Sequence, residues 1–251
     1  MKSFYLYSPL ILQTALWPIV RPLFLFFIRL NIRGIENPEK VAFAHGREQM
    51  PRNGVIFAVN HSSELDPILV PASLPFLSPL MPFFYTSREQ TFYKTSGWRQ
   101  FFYGGFLFKL WGSHPVRSGA HNYEESLATH IRLLEAGKSV CIFPEGRKTR
   151  DGAVGTEAHG GVAYLAWRTG ASIIPVRIKG VFTLTLREFL ARTRSVEVIF
   201  GTPFYPAELF YTNYQRPRDI CVGNFPQNVS PPSLAEIKAA ANRVLLAIQR
   251  L

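Results

Sequence analysis

The sequence predicts an α/β fold: a single domain with a mixed, partly parallel sheet flanked by helices, plus an N-terminal membrane-associated helical segment. Three observations carry this. Short apolar runs recur at residues 55–59, 139–143 and 171–178 with helical patterns between them, the alternation of a sheet with parallel members. Two of the runs break abruptly into polar residues, at Asn60-His61 and at Pro144-Glu145, as strands do where a site lies at their carboxyl ends. Residues 8–30 are almost wholly apolar.

A chain of 251 residues suits one such domain better than two. We divide it into a membrane-associated segment over 1–32 and a domain over 33–251. Hydrophobic residues make up 47% and aromatics 14%, an excess that fits contact with lipid. Lys and Arg outnumber Asp and Glu by 28 to 17, giving a formal charge of +11 and pointing to an anionic partner. Together with the apolar excess, that favours membrane lipids and a phosphorylated substrate over nucleic acid. Cys141 and Cys221 have no metal or redox spacing, which fits a reduced, cytoplasm-facing location.

Taken in order, the apolar run over 8–30 is interrupted by Pro18, Arg21 and Pro22, and no signal-peptide cleavage site is evident. This predicts a broken helix or helical hairpin in one leaflet, with Arg21 and Arg29 snorkelling to the headgroups and Trp17 at the interface. A single transmembrane anchor is the alternative. A lead-in strand over 30–33 and a loop precede the central strand, Val55 to Val59. Asp66-Pro67 has the form of an N-cap followed by a first-turn proline, opening a short helix. The proline-rich stretch that continues to Tyr85 reads as an apolar wall, and with Phe101 to Trp111 it suits the lining of an acyl-chain channel.

A helix beginning near Asn122 ends at Gly137, and Ser139 to Phe143 is the next buried strand. A helix over 158–168 closes at Gly170, followed by strands over 171–178 and 195–200. Residues 204–230 show no regular pattern. Ser233-x-x-Glu236 is a capping box that opens a final helix, with Leu234, Ile237, Ala241, Val244, Leu245 and Ile248 on one face.

The chemistry concentrates at the strand ends. His61 and Asp66 would be roughly 140° apart on a continuous helix, so they meet only across a turn between strand and helix. There the carboxylate can fix the imidazole tautomer and leave the other ring nitrogen to take a proton. The structural alternative makes Asp66 a helix cap and His61 a loop residue bonded to the backbone. No Gly-x-Ser-x-Gly elbow marks a nucleophile, so a base here would activate a hydroxyl on a substrate. Arg117, the Glu145-Gly146-Arg147-Lys148 turn with Arg150, and Arg177 with Lys179 add guanidinium and ammonium groups suited to a phosphate.

These residues resemble the glycerolipid acyltransferases of the lysophosphatidate acyltransferase type, including tafazzin-like members. Asn60-His61-Ser62-Ser63-Glu64-Leu65-Asp66 is similar to the family's Asn-His-x-Ser-x-x-Asp block, and Phe143-Pro144-Glu145-Gly146 to its Phe-Pro-Glu-Gly block. Gly112 to Arg117 and Ile174-Pro175-Val176 resemble the second and fourth blocks. Val116 stands where an acidic residue is usual, and Arg147-Lys148-Thr149 where Thr-Arg-Ser often follows.

The resemblance implies acyl transfer from an acyl-CoA or acyl carrier protein thioester to the free hydroxyl of a lysophospholipid such as 1-acyl-glycerol-3-phosphate. His61 is then the general base and Asp66 its orienter. Arg117, Glu145, Gly146, Arg147 and Lys148 form the substrate-binding set, Glu145 bracing the turn or an arginine and backbone N–H groups near Gly146 helping to hold the oxyanion. No metal and no cofactor beyond the thioester substrate are implied. A phospholipid ester hydrolase and a non-catalytic membrane-surface module are the rival classes.

Overall fold

The computed structural model describes residues 4–42, 53–88, 106–116, 122–210 and 231–251. In chain order these form α1 (Phe4–Phe27), β1 (Asn31–Arg33), α2 (Glu36–Ala42), β2 (Val55–Val59), α3 (Asp66–Ser73), β3 (Phe83–Ser87), α4 (Phe106–Leu110) and β4 (Ser113–Pro115). They continue with α5 (Tyr123–Ser126), α6 (Ala128–Glu135), β5 (Ser139–Ile142), α7 (Gly161–Thr169), β6 (Ser172–Lys179), α8 (Leu186–Leu190), β7 (Glu197–Phe200), α9 (Pro206–Phe210) and α10 (Leu234–Arg250).

The described strands make one seven-stranded sheet in the order β1-β7-β6-β2-β5-β3-β4. Only β6 and β7 pair antiparallel; the remaining neighbours are parallel. The central position of β2 follows from its sequence, since all five residues are apolar and buried, as a strand covered on both faces requires. Val55, Phe57 and Val59 belong to the cluster that contains α3 and the end of α1. Ile56 and Ala58 belong to the cluster that contains α6, α7 and α10. Because β5 and β6 run parallel to β2 on either side, their carboxyl ends share its edge.

Several local signals act as the sequence predicts. Gly170, at φ 72°, terminates α7 in the left-handed conformation, and the Ser233–Glu236 capping box opens α10. Three expectations are corrected, and one element is new. The stretch before β2 contains α2 rather than loop alone. The apolar wall ends in a true strand, β3, whose first three residues are buried between β5 and β4. The helix near Asn122 is two short helices, α5 and α6, meeting at Leu127. Residues 180–194 contain α8, a turn of helix with no buried residue.

The fourth correction is α1. It runs unbroken for 24 residues through Pro9, Pro18 and Pro22, neither broken nor a hairpin. Each proline removes an N–H donor, but side-chain bonds from the helix to the domain hold it in place. Gln13 Nε2 donates to the Phe83 and Trp111 carbonyls at 2.9 and 3.0 Å, and its Oε1 accepts the Phe83 N–H at 2.9 Å. The Trp17 indole donates to the Leu74 carbonyl. Arg21 does not snorkel: its Nη1 donates to the Ala72 and Leu74 carbonyls at 2.9 Å, with the guanidinium over the Trp17 ring. The polar groups thus face the domain, while Phe4, Tyr7, Ile11, Ile19 and Phe26 are exposed. Among the described residues this is the one helix long and apolar enough to cross a membrane.

Two histidines lie buried away from the strand-end chemistry. His114 on β4 stacks on Phe84, and His130 on α6 faces the Tyr85 carbonyl at 3.3 Å through Nε2. His114 Nε2 and His130 Nδ1 have no hydrogen-bond partner among the described residues. Burial pushes both down from 6.5 to about 4, the Lys109 charge adding to the effect at His114. Between these values the unfolded chain binds protons that the native protein refuses. Stability therefore falls as pH drops from 6.5 towards 4, by up to about 1.4 kcal/mol per pH unit for each histidine, and levels off below that window. Urea unfolding across this range should show the loss, and His114→Phe should remove about half of the slope.

Candidate active site

Asp66 opens α3 as its first residue, not its N-cap; that place is taken by Leu65, which makes no side-chain cap. Its carboxylate turns back over the preceding loop. Oδ2 accepts the Ser62 and Ser63 backbone N–H groups at 2.7 and 2.8 Å and lies 2.9 Å from His61 Nδ1. Three donors converge on one fully buried oxygen, so Nδ1 carries the proton and Nε2 is left with its lone pair. The His61 side chain is 21% exposed and its ring stacks on Phe143 at 4.2 Å, which fixes its plane. The carboxylate thus caps no N–H of α3 itself; it ties the preceding loop together and meets the His61 ring.

The loop that carries His61 is secured to both neighbouring strands. Asn60, buried, acts as an extra peptide unit: its Oδ1 accepts the Ile178 N–H at 2.7 Å and its Nδ2 donates to the Ile178 carbonyl at 3.0 Å. From the other side Glu145 Oε1 accepts the His61 N–H at 3.0 Å, and its Oε2 accepts the Gly155 N–H at 2.9 Å. The His61 carbonyl in turn accepts the Thr149 N–H at 2.8 Å. Glu145 is therefore a brace between loops, with both carboxylate oxygens committed to backbone.

Gly146 has φ 65°, and a Cβ there would lie 2.4 Å from the His159 ring, so the turn admits no side chain. Its N–H donates to the Phe143 carbonyl at 2.9 Å, which closes the turn. Below Asp66, burial and the nearby carboxylate push the Cys141 thiol well above its usual range. Cys141 is a neutral packing group.

The expected cations separate. Arg147 and Arg150 are exposed on the loop that the Thr149 N–H ties to His61, and Arg147 has no polar partner among the described residues. Lys148 is paired with Glu64 at 2.8 Å, both side chains largely in solvent, so the pair adds little to stability. Arg177 donates to the Gln249 carbonyl and Lys179 to the Leu251 carbonyl at 2.9 Å, cations that complement the carboxyl end of α10 instead of joining the site. Arg117 lies outside the described residues. Arg88, just past β3, went unnoticed in the sequence; its guanidinium donates to the Gly146 carbonyl at 3.2 Å. Its only signal was a basic residue ending an apolar run.

Because Glu145 accepts two backbone N–H groups, Glu145→Gln should leave one of them facing an amide NH₂. The expected cost is about 1–3 kcal/mol in unfolding free energy. Hydrogen exchange should place the loosening at the His61 and Gly155 amides, and unchanged protection there would rule out the brace.

Comparison with known proteins gives this geometry a family. A family model described as Acyltransferase matches residues 41–179, more than half of the chain and all of the strand-end loops above. The chain is 26% identical over 185 residues to a chloroplastic 1-acyl-sn-glycerol-3-phosphate acyltransferase of Arabidopsis thaliana, covering 71% of this chain and 44% of that protein. It is 23% identical over 193 residues to a probable 1-acyl-sn-glycerol-3-phosphate acyltransferase of Mycoplasma pneumoniae, covering 70% and 65%. The matched regions thus span less than two thirds of either relative. The fold is similar to the crystal structure of PlsC, a 1-acyl-sn-glycerophosphate acyltransferase from Thermotoga maritima, with a TM-score of 0.57 at 16% identity over 95% of this chain and 76% of that one. The chain belongs to the acyltransferase family.

Proposed function

We propose that the protein transfers a fatty acyl group from an acyl-CoA or acyl carrier protein thioester to the free hydroxyl of a lysophospholipid such as 1-acyl-glycerol-3-phosphate. The observation that carries this is the His61–Asp66 pair, with Nδ1 bound to a buried carboxylate and Nε2 free. Nε2 takes the acceptor hydroxyl proton as that oxygen attacks the thioester carbonyl carbon. The tetrahedral intermediate collapses, the C–S bond breaks, and the departing thiolate recovers the proton from the imidazolium. Asp66 stabilises that imidazolium. The acceptor oxygen is the nucleophile, so the route contains no acyl-enzyme.

Arg147 is the cation we assign to the acceptor phosphate, since Lys148 and Arg177 are engaged elsewhere and Arg147 is exposed on the loop tied to His61. Charge-assisted contact with phosphate would hold the hydroxyl near Nε2. We further propose that the protein binds one membrane leaflet through the exposed face of α1, with the active site on the cytoplasmic side. The docking of Gln13, Trp17 and Arg21 against the domain supports an interfacial helix over a spanning one, because it keeps the domain alongside the middle of the helix.

His61→Ala should lower kcat about 10²- to 10⁴-fold in a folded protein, and Asp66→Asn should also be severe because an amide cannot stabilise the imidazolium. Purified protein given labelled acyl-CoA and a panel of lysolipids checks this. Full turnover by His61→Ala, or release of free fatty acid without an acceptor, would point away from transfer.

Arg147→Ala should lose about 1.5–3 kcal/mol, or roughly ten- to a hundredfold in kcat/KM, for the phosphate-bearing acceptor. Varying each substrate in turn decides the assignment: a defect confined to the acyl donor would move Arg147 to the carrier side of the site.

A further inference from the structure

The segment between β6 and β7 presents a physical puzzle. Its helix, α8, has no fully buried residue: Phe189 packs partly buried against the core, while Leu186 and Leu190 are 72% and 58% exposed. Two leucines four apart on a helix share one face. Yet the segment is tightly secured. Thr185 and Glu188 form a complete capping box, and Arg194 Nε meets Glu188 Oε1 at 2.7 Å. The Arg194 pair and the capping bonds hold the Glu188 carboxyl down at about 2, so it stays ionised and its charge, the one negative charge on the segment, is matched by Arg194. Such bracing fixes the two leucines in solvent, outside the core.

That face is continuous with the exposed face of α1. Phe189 stacks on Phe27 at 4.9 Å, Arg192 lies over the Phe26 ring at 3.8 Å, and Arg192 Nε donates to the Phe26 carbonyl. Arg29 reaches back to the Thr193 carbonyl at 3.3 Å. Exposed Arg187, Arg192 and Arg29 therefore flank the two leucines. At its base the segment also adjoins the strand-end loops: a Cβ on Gly152 would lie 2.9 Å from the Phe182 ring. Since β6 runs parallel to β2, the segment leaves the sheet at the edge where His61 sits.

We propose that α8 is a second membrane-docking element, inserting Leu186 and Leu190 at the surface of an anionic bilayer while its arginines meet the headgroups. This rests on the membrane reading of α1 and extends it. Contact through α1 alone leaves the domain free to rotate about the helix axis. A second contact at the active-site edge fixes the rotation so that the acceptor's own bilayer faces His61.

The test is partition of the full chain onto vesicles of equimolar phosphatidylglycerol and phosphatidylcholine, without reference to activity. Leu186→Ser/Leu190→Ser should weaken partition about tenfold with the melting temperature unchanged, as α8 has no fully buried residue, and Leu186→Phe/Leu190→Phe should strengthen it. Phosphatidylcholine vesicles or high salt should weaken the wild type through its arginines. Ile11→Ser/Ile19→Ser on α1 separates the two readings. If it lowers partition and both α8 variants match wild type, the α8 proposal alone fails; if none of the variants changes partition, the membrane reading of α1 fails with it. A serine variant that turns a dimer into a monomer without changing partition would assign the face to a second copy and overturn the proposal.

Discussion

Glu145 accepts the His61 N–H with one carboxylate oxygen and the Gly155 N–H with the other, and the geometry of the site depends on that pair of bonds. Two parallel strands end beside one another at β2 and β5, and nothing in a parallel ladder continues past their last residues. The loops beyond must be held by side chains. Glu145 does this from β5, Asn60 does it towards β6, and Asp66 folds the intervening turn onto itself. The loop that carries the imidazole is consequently positioned by groups other than Asp66 and Phe143, which meet the ring itself.

A carboxylate suits the Glu145 position because it accepts and never donates. Both its partners are backbone N–H groups whose own carbonyls serve elsewhere: the His61 carbonyl accepts from Thr149 and the Gly155 carbonyl from Gln249. Every link is therefore a distinct donor and acceptor pair, and the loop bearing Arg147 is tied to the loop bearing His61 at both of that residue's peptide groups. The His61 imidazole and the Arg147 guanidinium are thereby carried on loops tied to one another.

Much of this was legible because the signals are local. Val55 to Val59, Ser139 to Phe143 and the capped final helix announce themselves by composition and by their end residues, and His61 with Asp66 fit within a single turn. The readings that failed required knowledge of what comes alongside. Arg177 and Lys179 do stand at a strand end, but β6 pairs with antiparallel β7 there and the end of α10 takes both cations. Phe83 to Ser87 was obscured by Pro79 and Pro82 immediately before it, and β4 is only three residues long. Arg21 looked like a charge stranded in an apolar run, and only the Ala72 and Leu74 carbonyls, some fifty residues on, explain it.

That separation in sequence bears on how the chain is made. Gln13 is bonded to residues 70 and 98 positions downstream, and Arg21 to residues 51 and 53 downstream. At ribosomal rates the Trp111 carbonyl follows Gln13 by roughly 5–20 s. For that interval α1 is an apolar helix whose amide and guanidinium have no partners in the chain. A nascent segment of this kind needs a chaperone or another surface to shield it until β3 and α3 are complete, so the order of synthesis makes transient protection of α1 part of folding itself.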